Sequence, residues 1–129
     1  MFRLAFEDKY RVFLARFAGI YVSEDVTDLY RVLTSFVAEH GPVHGLFDYT
    51  EVEAVAVPQS LIAHHASIPP ISPGYERVFV TPLRELYELA RAYAVQQREL
   101  GNKEPRIVTS MWDAYRLLGL DRPNFRQIS

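Results

Sequence analysis

The chain has 129 residues, 49% apolar and 23% charged, the proportions of one ordinary globular domain able to bury a real core. Fourteen Lys and Arg against sixteen Asp and Glu leave a net charge of −2, which gives no global pull toward nucleic acid or an anionic membrane surface. The absence of cysteine excludes disulfides, thiolate metal sites and cysteine nucleophiles.

No apolar stretch approaches the roughly 18 residues of a membrane span, and no signal-peptide pattern opens the chain. The expectation is a soluble cytoplasmic domain over residues 1–129, with a core at about 10–120 and a loose polar tail at 121–129.

The beginning reads as a β-hairpin. Phe2, Leu4 and Phe6 alternate with Arg3 and Ala5, and Glu7-Asp8-Lys9 makes a polar turn. In the following strand Phe13, Ala15 and Phe17 share one face, while Val12 and Leu14 share the other with Arg16. A strand apolar on both faces belongs in the middle of a sheet covered on both sides.

A helix follows. Ser23 suits its N-cap, Glu24 and Asp25 suit its first turn, and Val26, Leu29, Tyr30, Leu33, Phe36 and Val37 form one stripe. Gly41 and Pro42 end it.

Residues 43–49 read as a strand ending at Asp48, and residues 50–57 as a loop carrying Glu51 and Glu53. Pro58 suits the first position of a short helix over 58–67. Pro69, Pro70 and Pro73 make the next stretch a surface connector.

Residues 76–80 form a strand, and Thr81-Pro82 signals the start of a long helix to about Leu100, with Leu83, Leu86, Tyr87, Ala90, Tyr93 and Ala94 in its stripe. A short strand over 106–109 precedes a last helix capped by Ser110 and Asp113 and ended by Gly119-Leu120. Strands alternating with helices imply a mixed, mostly parallel sheet with helices on its faces, ββαβαβαβα, and an antiparallel N-terminal hairpin at its edge.

Chemistry is sparsely signposted. Asp48 stands where open α/β sheets hold ligands, at the carboxyl end of a strand. With Thr50 and Glu51 it reads either as a site for acid–base or metal chemistry or as an Asx-type turn that ties down the loop. Phosphoryl chemistry there lacks the acidic pair after the first long strand that would hold Mg²⁺.

His64 and His65 are adjacent on a helix and point about 100° apart, so they cannot chelate one ion together; no metal site or cofactor is expected. Tyr87 and Tyr93, and Tyr115 near Trp112, read as core residues with rim hydroxyls or as the lining of a groove. No GxSxG elbow, P-loop or GxGxxG motif occurs.

The segment Gly45-Leu46-Phe47-Asp48-Tyr49-Thr50-Glu51-Val52, with Val108-Thr109-Ser110 and residues 113–120, resembles the STAS-like domains of the anti-sigma factor antagonist superfamily, in particular small stand-alone bacterial members. The resemblance spans residues 10–120 and rests on the order of elements. It implies a STAS-like fold and a non-enzymatic regulatory domain that meets a protein partner, with homodimerisation an option.

In signalling members of that family a Ser at the start of the helix after the loop is phosphorylated. Ser60 takes that place here, without the family's acidic residue and Gly, and with Pro58 stiffening the turn. Pro58, Ser60, His64 and His65 then mark the partner surface. The alternative is a carrier or sensor of a small apolar, lipid-like ligand. A partner surface calls for an exposed apolar patch of several hundred Å² near this helix, a carrier for an apolar cavity of about 300 Å³ or more.

Overall fold

The structure, a computed structural model, describes residues 2–128. The elements in chain order are β1 (Phe2–Glu7), β2 (Val12–Val22), α1 (Ser23–His40), β3 (His44–Ala56), α2 (Gln59–Ala66), β4 (Arg77–Val80), α3 (Arg84–Glu99), β5 (Arg106–Val108), α4 (Met111–Leu118) and β6 (Arg126–Gln127).

The strands form one mixed sheet in the order β5-β4-β3-β2-β1-β6. β2 to β5 run parallel, and β1 is antiparallel to both β2 and β6.

The two faces of β2 divide the core. Phe13, Ala15 and Phe17 pack under α1, α2 and α3. Val12 and Leu14 pack with Leu46, Val78 and Val80 under Ala114 of α4. Burial on both faces is what a strand apolar on both sides requires.

Four expectations are corrected. β3 does not end near Asp48; it continues to Ala56, pairing with β2 through Val22↔Ala56. Two register shifts sit along this ladder. From Arg16 to Ala18 the β2 chain takes two steps while β3 takes three from Asp48 to Glu51, so β3 bulges immediately after Asp48.

The second correction concerns helix starts. α1 is capped at Val22, not Ser23, and the Asp25 carboxylate accepts the Val22 N–H at 3.0 Å. α3 begins at Arg84 rather than Pro82: the chain stays extended through Leu83, which is the cap, and Thr81 N–H still pairs with the Val108 carbonyl of the sheet at 2.9 Å.

Third, Pro58 precedes α2 in extended conformation instead of opening it. Fourth, the polar tail is tied to the sheet as far as Ile128, whose N–H donates to the Leu4 carbonyl at 2.9 Å. Glu7 is buried and accepts backbone N–H groups from Lys9, Tyr10 and Asn124. β6 then adds to β1, which places the opening hairpin inside the sheet rather than at its edge.

No helix among the described residues is long and apolar enough to cross a membrane.

Candidate functional site

The Asp48 region lies on the α4 side of the sheet. Its carboxylate is buried; Oδ2 accepts from Arg16 Nε at 2.8 Å and Oδ1 accepts the Thr50 N–H at 2.9 Å. Thr50, Glu51 and Glu53 are exposed, and Glu51 pairs with Arg3 at 3.3 Å. Asp48 and Glu51 thus each have their own arginine, and the Asx contact satisfies the bulge's N–H. Among the described residues no group of three His, Asp or Glu side chains is placed to hold a metal ion.

α2 sends its two histidines different ways. His64 is exposed with Pro58 and Ser60, while His65 is half-buried with its ring 5.3 Å from that of Tyr30. Burial, reinforced by His64, lowers the His65 pKa, which favours its neutral form. No large hydrophobic side chain of α2 is exposed; Leu61 and Ile62 are half-buried against the core.

The opposite face of the sheet holds a different feature. Between the sheet and its three covering helices the packing leaves an apolar cavity of about 160 Å³. Phe47, Tyr49 and Phe79 of the sheet line it, with Ile62 and His65 of α2 and Tyr93 of α3. The connector after α2 joins them through Ile68, Pro70 and Ile71.

The space is kept open by a ring network. Phe47 and Phe79 lie 5.4 Å apart, Phe79 and Tyr93 5.7 Å, and Phe17 stacks on Tyr49 at 4.8 Å. Such pairs contribute about 0.5–1.5 kcal/mol each beyond area burial and hold fixed angles that side chains of variable shape do not. Gly45, also in the lining, lets the Phe47 ring lie over the backbone: a Cβ there would meet it at 2.7 Å.

Few polar groups reach the cavity. The Tyr21 and Tyr49 hydroxyls, both buried, share one hydrogen bond at 3.3 Å. Burial pushes the Tyr21 pKa up to about 12 and that of Tyr49 well above the ordinary phenol value.

Arg77, at the start of β4, donates to Tyr93 Oη at 2.8 Å, to Gln97 Oε1 at 3.1 Å and to the Lys103 carbonyl at 2.6 Å. Gln97, fully buried, donates in turn to the Ala66 and Ile68 carbonyls at 2.8 and 3.0 Å. The connector is therefore pinned to α3 by one side chain that also holds Arg77.

Of the residues singled out from sequence, Tyr93 and His65 line the cavity. Tyr87 does not; Trp112 is 71% exposed and Tyr115 packs near Phe125, so no aromatic groove forms on α4. Tyr21, Arg77 and Gln97 carried no sequence signal of their own, and Tyr49 stood only inside the Gly45–Val52 segment. No protein-family model, no curated protein and no solved structure matches the chain.

Proposed function

We propose that the protein is a non-enzymatic sensor or carrier of a small apolar ligand held in the cavity between the sheet and α1, α2 and α3. The cavity itself carries this reading: a space of about 160 Å³, walled by aromatic and aliphatic side chains with few polar groups, is the kind of site that takes an apolar molecule.

Its size narrows the ligand. A cavity of roughly 150 Å³ accommodates a benzene ring, whereas an acyl chain calls for the larger cavity expected of a lipid carrier. The lipid-like part of the expectation therefore gives way to a compact, ring-sized ligand.

The regulatory reading implied by the STAS-like resemblance keeps one supporting observation. α2 places Ile62 and His65 in the cavity wall while Ser60 and His64 face outward. Filling the cavity then bears on the same helix that a partner or a kinase would meet.

The test is native mass spectrometry of protein purified from its own cells, followed by a melting-curve titration with toluene. A retained small molecule, or a rise in melting midpoint that saturates with toluene, is expected. Neither effect, with the protein folded, overturns the ligand reading.

A further inference from the structure

We infer that the ligand is a small monocarboxylate whose ring-sized apolar body fills the cavity and whose carboxylate pairs with Arg77. This rests on the cavity reading above and adds the charge. The reason is a missing counter-ion.

A guanidinium always carries its charge, and burying one is costly unless a countercharge meets it. Arg77 is half-buried and lines the cavity, yet the three groups it contacts are neutral: a phenol, an amide oxygen and a backbone carbonyl. Among the described residues no carboxylate forms an ion pair with it.

Its nearest acidic neighbour in sequence, Glu76, is engaged by Lys103 at 2.9 Å. Asp48, three residues along the β3–β4 ladder from the Gly45↔Arg77 pair and opposite Val80, belongs to Arg16 on the other face. Burial accordingly lowers the Arg77 pKa.

The donor count leaves room for a ligand. A guanidinium has five N–H donors; contacts to Tyr93, Gln97 and Lys103 use three of them. Tyr93 is itself part of the lining, and Arg77 sits over its ring at 5.7 Å, so a carboxylate at Arg77 has its apolar body directed among aromatic rings. His65, the other basic side chain of the lining, has its charged form disfavoured by burial, which leaves Arg77 as the fixed positive charge of the lining.

The probes are benzoate, its near-isosteric neutral amide benzamide, and toluene, measured by calorimetry at pH 7 on the full chain. Benzoate should bind at least about tenfold more tightly than benzamide, as expected when a neutral contact becomes a charge-assisted one. Shifts of the Phe47, Phe79 and Tyr93 ring signals in NMR locate the binding.

Arg77→Gln should abolish the preference for benzoate, and Arg77→Lys should retain part of it. Equal affinity for benzoate and benzamide, with toluene also bound, overturns the carboxylate and leaves the cavity reading standing. Binding of none of the three overturns both. Because Arg77 also supports Gln97 and the Lys103 backbone, Arg77→Gln can fail to fold; the wild-type comparison then decides alone.

Discussion

Arg16 and Asp48 face each other across the parallel β2–β3 register, Nε to Oδ2 at 2.8 Å, with the Asp48 side chain 2% exposed and that of Arg16 36%. The same carboxylate accepts the N–H of the bulge that follows it. Asp48→Asn keeps the shape but turns a charge-assisted bond into a neutral one. The expected cost is about 1 kcal/mol, limited by solvent at Arg16. It is read from the urea midpoint at constant slope; an unchanged midpoint would mean that the pair contributes nothing.

Gln97 offers a sharper case, because one amide serves three partners without solvent. Gln97→Leu fits the volume but leaves the Ala66 and Ile68 carbonyls and one Arg77 donor unpaired. Leaving such groups unmet costs about 1–3 kcal/mol. Hydrogen exchange should also speed up in the connector that Gln97 holds, ahead of the sheet. Uniform exchange loss across the whole chain would instead assign Gln97 to the global core.

The contrast between these residues shows what the chain reveals when read linearly. The two-faced pattern of β2, the α1 stripe apart from the exposed Tyr30, and the Ser110–Asp113 cap with Gly119 are local signals, and each appears in the structure where the spacing puts it. The β3 extension was legible in principle, since Val52 is buried between exposed Glu51 and Glu53, the alternation of a half-buried strand. Two acids and the bulge disguised it as a loop.

The cavity left no such trace. Arg77, Gln97 and the connector meet only after α3 has folded back on the sheet, so no spacing along the chain encodes their contact. Tyr21 and Tyr49 likewise become a hydroxyl pair only once β2 and β3 lie side by side, through the reach of their side chains, since the register sets Tyr21 opposite Val55.

Glu7 makes the C-terminal strand sensitive to acid. Its pKa lies below the ordinary 4.5, first through the Asn124 N–H it accepts and then through those of Lys9 and Tyr10, against the opposing effect of burial. A lowered folded pKa means that the contribution is fully present above about 4.5 and is lost as pH falls through the lower, folded value. Amides of β6 and Ile128 should therefore lose protection at acid pH before those of β2. Glu7→Gln should remove that pH-dependent step, and a step that persists in the variant would place the titrating group elsewhere.

At the alkaline end the sign reverses. Tyr21, raised to about 12 by burial, stays protonated in the folded chain after an unfolded tyrosine has ionised near 10. Stability is thus intact below pH 10 and lost as pH climbs from there toward 12. Absorbance of tyrosinate should rise in two stages, exposed phenols first and the buried pair together with unfolding. A single stage complete before unfolding would show the pair to be solvent-accessible.

Gly45 connects backbone, cavity and ligand in one substitution. It is buried in β3, beside Val43 and two residues before Phe47, on the same face of the strand. A Cβ at this position would lie 2.7 Å from two atoms of the Phe47 ring, closer than atoms can pack, so Gly45→Ala must move the ring or the strand. The strand is held on both sides, by Phe13 in β2 and Arg77 in β4, which leaves the ring to yield. The cavity beside it is the available space. The expected cost is about 1–3 kcal/mol of overpacking strain, with the ring filling part of the volume a ligand needs. Toluene should then raise the melting midpoint less in Gly45→Ala than in wild type. The control is Ile62→Val, which removes one methylene from the wall at about 0.5–1.5 kcal/mol and should leave the toluene effect equal or larger. If both variants are destabilised equally and both respond to toluene as wild type does, the Phe47 ring does not enter the cavity and its lining is set elsewhere.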